Sequence, residues 1–240
     1  MNTKVLGVLG GMGPLASAHF MLRLTLLTPA ERDADHIPTV LWSDPTVPGR
    51  PEFLEGKGPD PLPALLRGIH GLRGAGCGAI VIPCNTAHHW YQPMAEAAGV
   101  PILHIVDAAA ADLRAAGIKP GTIGLMATAA TQRLRIYQDH LSRLGWDCLV
   151  PDTAEMTDKI APAIALVKAN RVQPAYEPLR DVVNSLAARG AQAIVLGCTE
   201  IPLGILAGPA GGLDAPVIDT IDSLARAAIG WAKDGSGGSG

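Results

Sequence analysis

The sequence is short of four things that would each announce a class of protein. It carries no long run of Lys or Arg, and its formal charge is only −3, so nothing electrostatic recommends nucleic acid or an anionic membrane as a partner. No stretch approaches the roughly 20 apolar residues of a membrane span. The opening MNTKVLGVLG has an apolar run too short for a signal peptide, with neither a charged leader nor a small-residue cleavage site. Four cysteines, Cys77, Cys84, Cys148 and Cys198, are too few for a disulfide scaffold and include no CxxC pair. These shortages predict a cytoplasmic protein with free thiols and a small neutral or zwitterionic ligand.

What is present is enough apolar material, 48% of 240 residues, for one large domain or two small ones. Short apolar runs alternate with amphipathic stretches. The runs are Lys4 to Leu9, Thr39 to Trp42, Ala79 to Ile82, Ile102 to Ile105, Thr122 to Met126, Asp147 to Val150, Ala193 to Leu196 and Val217 to Ile218. Helices are predicted over Pro14 to Leu27, Pro61 to Arg73, Thr131 to Leu144, Thr157 to Ala169, Tyr176 to Ala188 and Ser223 to Ala232. This is the rhythm of βα units around parallel sheets, so the fold class is α/β. The segment 234–240, Gly/Ser-rich after Asp234, has flexible-linker composition.

The chain also repeats itself. Gly76-Cys-Gly-Ala-Ile-Val-Ile-Pro-Cys84 aligns with Gly190-Ala-Gln-Ala-Ile-Val-Leu-Gly-Cys198 at an offset of 114 residues. Pro101 to Asp107 echoes Pro216 to Asp222 at 115, and Val5 to Gly10 echoes Thr122 to Ala127 at 117. Similar apolar strands alone would not also align the cysteines and the later aspartates. The sequence reads as two copies of one α/β domain related by a pseudo-twofold.

In both copies the cysteine follows a buried strand and opens a turn into a helix, Cys84-Asn85-Thr86 and Cys198-Thr199-Glu200. Ligands of open α/β sheets bind at that carboxyl edge. A helix N-terminus there would lower a thiol's pKa and hold an anion such as a carboxylate. Two such domains facing across a cleft would put one thiol on each side of a ligand. The alternative is two ordinary buried cysteines, which the repeat-equivalent placement argues against. A metal site from Cys84 and His88 lacks a second Cys/His pair, and the seven histidines form no cluster.

The loop Gly10-Gly-Met-Gly-Pro14 follows the first strand, with Pro14 suited to the first helical turn. Read as Gly11-x-Gly13-x-x-Ala16 it also matches the dinucleotide fingerprint, with Asp44 as the ribose-binding acid. Asp44 lies about 30 residues beyond the loop, whereas the fingerprint wants about 20, and a dinucleotide site explains neither cysteine. Arg50, in the Pro-rich loop Pro45 to Pro51, could grip a carboxylate bidentately. Lys168 occupies the matching region of the second copy, or simply snorkels at a helix end. Thr128 and Thr131 follow a strand and bind a carboxylate or cap the next helix.

Gly10-Gly-Met-Gly-Pro14, Asp35-His-Ile-Pro38, the Arg50 loop, Pro83-Cys-Asn-Thr-Ala-His88, Ala127-Thr128 with Thr131, and Gly197-Cys-Thr-Glu-Ile-Pro-Leu203 together resemble the aspartate/glutamate racemase superfamily, and within it the aspartate racemase branch. Cell-wall glutamate racemases usually have an Asp-Ser-Gly loop and a His after the second Cys-Thr, where this chain has Gly-Gly-Met-Gly-Pro and Glu200. Ser17 stands where the family commonly has Thr. The resemblance implies two domains, 1–110 plus 213–233 and 111–212, with an active site in the cleft between them, and a homodimer. It implies racemisation of aspartate, or glutamate, without pyridoxal phosphate, metal or other cofactor. Cys84 and Cys198 would be the two acid/base groups, Cys84 acting on the D-enantiomer and Cys198 on the L. Met12, Asn85, Thr86, Thr128 and Thr199 would contact the α-carboxylate and amino group, and Arg50 and Lys168 the side-chain carboxylate. A related maleate isomerase or decarboxylase, or a non-catalytic amino-acid-binding protein, would use the same features.

Overall fold

The computed structural model describes residues 4–209 and 211–234; the predicted linker after Asp234 lies outside the described residues. The chain divides into two units, 1–108 with 221–240 and 109–220.

The first unit is built on a four-stranded parallel sheet in the order β2-β1-β3-β4, with β1 Leu6–Gly10, β2 Thr39–Ser43, β3 Ala79–Val81 and β4 Ile102–Leu103. Strand β1 is buried along its whole length, as expected of a parallel strand covered on both faces. Each of Leu6, Val8 and Leu9 contributes about 1.5–3 kcal/mol by leaving water. Helices α1 (Pro14–Leu27), α2 (Arg50–Leu54), α3 (Leu62–Gly74) and α4 (Tyr91–Ala98) belong to this unit. Two glycines bring α3 close to the sheet: a Cβ on Gly68 would sit 2.3 Å from Leu9 Cδ1, and one on Gly71 would sit 2.3 Å from the Trp42 ring. The chain leaves the unit within α5 (Ile105–Ala115) and returns in the last helix, Thr220–Lys233. That helix is tied down by Arg23, which grips Asp222 at 2.5 and 2.7 Å, and by Lys4, which donates to the Trp231 carbonyl at 2.6 Å.

The second unit repeats the plan as β6-β5-β7-β8, with β5 Gly121–Ala127, β6 Trp146–Leu149, β7 Ile194–Gly197 and β8 Val217–Asp219. Register repeats as well as topology. Gly7 lies opposite Ile80, and Gly124 opposite Ile194; Ile80 lies opposite Ile102, and Ile194 opposite Val217. These partners are related by the three offsets read from the sequence, down to the one-residue difference between 114 and 115. The core of this unit packs Met126, Leu196 and Cys198 from the sheet side against Ile160 and Val167, and against Leu179, Val183 and Leu186.

All eight predicted strands are present, with ends moved by a residue or two. The helices differ more. The stretch predicted as one helix from Thr131 to Leu144 is two short ones, α6 Ala129–Arg133 and α7 Gln138–Ser142, separated where Arg135 takes a left-handed φ of 54°. The helix predicted from Thr157 begins as a π-helical turn, Glu155–Ile160, before α8 Ala161–Lys168. Pro162 has no N–H to close an α-type bond to residue 158, which favours the wider turn there. Helix α9, Tyr176–Ala188, has the predicted bounds; α4 and α10 (Ile201–Leu206) are the helices expected to follow the two cysteine turns, which the sequence gives without bounds, and α2 and α5 were not predicted. The return to the first unit falls at 220/221 rather than 212/213. Residues 217–219 pair with β7 as the edge strand of the second sheet and so stay with it. The last helix is α11.

Candidate active site

Each unit carries candidate residues at the carboxyl ends of its two inner strands, joined by Arg50 from beyond the edge strand β2 in the first unit and Lys168 from the end of α8 in the second, and the two groups differ in detail.

In the first, the turn after β1 is held by Ser17. Its hydroxyl accepts from the Gly11 N–H at 2.8 Å and donates to the Gly13 carbonyl at 2.9 Å. Gly11 has φ +92°, and a Cβ there would lie 2.4 Å from backbone atoms of Asp44, so only glycine fits. What the loop uses at position 17 is the hydroxyl, which Ser shares with Thr. Arg50 opens α2 and turns its guanidinium onto the same loop. It donates to the carbonyls of Met12 at 2.9 Å, Pro48 at 3.2 Å and Val47 at 3.4 Å, while its Nε is buried with no partner among the described residues. Arg50 is therefore a brace of the loop whatever else it binds. The Met12 side chain lies in the core cluster that also contains Cys84. Asp44 is engaged locally: one carboxylate oxygen accepts from the Thr46 N–H at 2.9 Å and hydroxyl at 2.6 Å, which holds its pKa below the usual value.

Cys84 lies just beyond β3 and is 5% exposed; its N–H donates to the Ile82 carbonyl at 2.7 Å. Asn85 and Thr86 are buried beside it. The chain then enters a short 3-10 turn, Thr86–Trp90, rather than a long helix, so the expected dipole at this thiol is small. His88 sits beneath the cysteine, 4% exposed. Its Nδ1 lies 3.0 Å from the Cys84 carbonyl, and its Nε2 3.2 Å from the Ile105 N–H that begins α5. A carbonyl can only accept and an N–H can only donate, so His88 is the neutral tautomer protonated on Nδ1. Burial, with His104 4.8 Å away ring to ring, lowers its pKa to about 3. With both nitrogens in use, His88 cannot join Cys84 as a metal ligand in this arrangement.

In the second unit, Thr128 and Cys198 directly follow the register pair Ala127 and Gly197 on neighbouring strands. Thr128 caps α6: its Oγ1 accepts from the Thr131 N–H at 3.2 Å and donates to the Thr131 hydroxyl at 3.0 Å. Cys198 is 4% exposed and donates to Glu200 Oε2 at 3.1 Å; the Thr199 hydroxyl donates to the same oxygen at 3.2 Å. Here the expectation of a lowered thiol pKa is reversed. Burial first, and the Glu200 charge second, raise the Cys198 pKa well above its ordinary value, with Lys168 at the exposed end of α8 opposing them. A helix of six residues cannot offset that burial. The structure thus gathers Cys198, Thr199 and Lys168, and it adds Glu200. The signal for Glu200 was in the sequence: it is the only charged residue between Arg189 and Asp214.

A family profile described as Asp/Glu/Hydantoin racemase matches residues 9–228. The structure of Picrophilus torridus aspartate racemase is 33% identical, covers 96% of this chain and 94% of that one, and superposes with a TM-score of 0.82. The broad specificity amino-acid racemase RacX of Bacillus subtilis is 26% identical over 232 residues, 94% of this chain and 96% of that protein. Glutamate racemase from Francisella tularensis, at 16% identity, shares the fold with a TM-score of 0.69 over 98% of this chain and 83% of that one. With both cysteine turns and seven of the eight strands inside the matched region, which opens within β1, the chain belongs to the Asp/Glu/Hydantoin racemase family.

Proposed function

We propose that this protein is an amino-acid racemase that interconverts L- and D-aspartate, and to a lesser extent glutamate, using Cys84 and Cys198 as its two acid/base groups and no cofactor. The observation that carries the reading is the pair of buried cysteines at repeat-equivalent positions, Cys198 directly beyond inner strand β7 and Cys84 three residues beyond inner strand β3, in a chain of this family. Racemisation needs a base on one face of the α-carbon and an acid on the other. One sulfur, as thiolate, takes the α-proton and the electron pair stays on carbon. The other, as thiol, gives its proton to the opposite face. Cys198 is assigned to the L-enantiomer and Cys84 to the D.

The α-proton of a free amino acid is far less acidic than a thiol, so the carbanion-like transition state must be stabilised electrostatically in a dry site. Main-chain N–H groups of the two cysteine turns, with Asn85, Thr86, Thr128 and Thr199, are assigned to the α-carboxylate and amino group, and Met12 to close packing. Arg50 and Lys168 are assigned to the side-chain carboxylate, which favours a short acidic substrate. We expect a homodimer, which sedimentation tests directly.

The decisive experiment incubates the protein in D2O with L-aspartate, L-glutamate and a panel of neutral and basic amino acids, since the relative RacX is of broad specificity. No pyridoxal phosphate is added, and a chelator is present. α-Deuterium and the enantiomer ratio are followed together. Exchange with inversion is expected for aspartate first, and Cys84→Ser and Cys198→Ser are each expected to abolish it. The absence of exchange with every amino acid, or full activity in either variant, would overturn the reading.

A further inference from the structure

We propose that Glu200 and Cys198 hold one proton between them, and that Glu200 takes the thiol's proton when Cys198 is to act as a base. The use of this pair in turnover rests on the two-thiol reading above; the sharing itself rests on geometry. The Cys198 thiol and the Thr199 hydroxyl both donate to Oε2, at 3.1 and 3.2 Å. Glu200 is 5% exposed, and Oε1 is buried with no partner among the described residues. A carboxylate buried for stability would have both oxygens satisfied, because an orphaned charged oxygen is costly. Nor does Glu200 serve the helix it precedes. It occupies the N-cap of α10, where a side-chain oxygen ordinarily accepts a backbone N–H, yet it makes no capping bond and turns back to the sulfur. The repeat-equivalent residue in the first half is Thr86, which cannot accept a proton in this way.

The proton rests on sulfur in the free protein, where the S–H donates to Oε2 at 3.1 Å. When the L-enantiomer is bound, the S–H bond breaks, an O–H bond forms on Oε2, and the thiolate lone pair takes the α-proton. Cys84 then delivers its own proton to the opposite face. The cycle ends with Cys198 again a thiol, Cys84 a thiolate and Glu200 protonated. Protons and charge balance without any co-reactant, and the reverse reaction starts from that state. The enzyme resets when Glu200 returns its proton to solvent and Cys84 regains one. Within the second unit, the titratable and charged groups that face the pair are Lys168 at the end of α8, which favours the thiolate, and the buried Tyr137 between α6 and α7.

The test tracks the carbon-13 resonance of the Cys198 Cβ across pH in cysteine-labelled protein, assigned with C198S, in wild type, E200Q and E200D. Replacing the carboxylate by an amide removes the like-charge neighbour. The Cys198 inflection is then expected to fall by about one pH unit or more, while that of Cys84 stays in place. E200D, with its charge drawn back by one methylene, is expected to fall between the two and decides the matter if E200Q does not fold. In turnover from L-aspartate, wild-type kcat is expected to be flat with pH around neutrality, because the proton moves internally. In E200Q it should rise with pH up to the new inflection, because the proton must leave to solvent. Whatever the variant, kcat/KM must change equally for the two enantiomers, since their equilibrium constant is one. An unmoved inflection overturns the shared proton, and a flat kcat profile in E200Q overturns the relay. If wild type racemises nothing, the racemase reading falls and the resonance alone judges the pair.

Discussion

His88 offers the sharpest test of how the first cysteine is held. Replacing it with Phe keeps a ring of similar size but leaves the Cys84 carbonyl and the Ile105 N–H, both bonded to it and both in buried residues, without their partner. Each orphaned group costs about 1–3 kcal/mol, so H88F is expected to lose about 2–6 kcal/mol at pH 7. The loss should depend on pH in a definite sense. The folded-state pKa of His88 is lowered to about 3, against about 6.5 in the unfolded chain. Between those values the unfolded state binds the extra proton, so wild-type stability is fully present above about 6.5 and drains away as pH falls toward 3. The drain is about 1.4 kcal/mol per pH unit. H88F has no such proton to bind, so the stability gap between wild type and variant should narrow by about 2 kcal/mol between pH 6.5 and pH 5. Urea unfolding at a series of pH values measures the gap, and taking the difference removes carboxylates common to both proteins. Parallel curves would show that His88 is not the buried neutral imidazole described, and the hydrogen-bond assignment around Cys84 would fall with it.

Two further substitutions probe the loop after β1. Ser17→Ala leaves the Gly11 N–H and the Gly13 carbonyl without the hydroxyl that joins them. It should cost about 1–3 kcal/mol in chemical unfolding, whereas Ser17→Thr, which keeps the hydroxyl, should cost less than about 1 kcal/mol; equal losses would count against the hydroxyl as the reason for the residue. Arg50→Lys replaces a planar fork that reaches three carbonyls by a single ammonium. It is expected to lower stability by about 1–3 kcal/mol and, on the racemase reading, to raise KM for aspartate about tenfold or more, and an unfolding free energy equal to wild type would show that Arg50 serves the ligand alone.

The repeat made the architecture legible because strand register obeys it: Gly7 with Ile80 and Gly124 with Ile194 are one pairing written twice. Helices were legible where apolar spacing and a clear end coincided, as in α9, or where prolines marked both ends, as Pro14 and Pro29 do for α1. They were not legible where backbone chemistry interrupts a periodic stretch. The left-handed Arg135 divides α6 from α7, and Pro162 widens the turn before α8, yet neither disturbs the apolar pattern. The short helices α2 and α10 hold too few residues to show a period at all.

The candidate site was legible in what its halves share and hidden in what they do not. Aligning Cys84-Asn85-Thr86 with Cys198-Thr199-Glu200 draws attention to the cysteines and away from the third position, where one half has a hydroxyl and the other a carboxylate. The chemistry does not ask for equal halves. On the two-thiol reading, two enantiomers of equal free energy fix the ratio of the two kcat/KM values at one, but they leave each kcat and each KM free, because the thiolate can be generated by different means on the two faces. A duplicated fold can therefore present two sulfurs from matching strands while the surrounding residues diverge. At one, a neutral imidazole grips the cysteine's own carbonyl; at the other, a buried carboxylate grips the thiol. On the two-thiol reading, that difference predicts unequal kcat for L- and D-aspartate from two half-sites built on the same strand register.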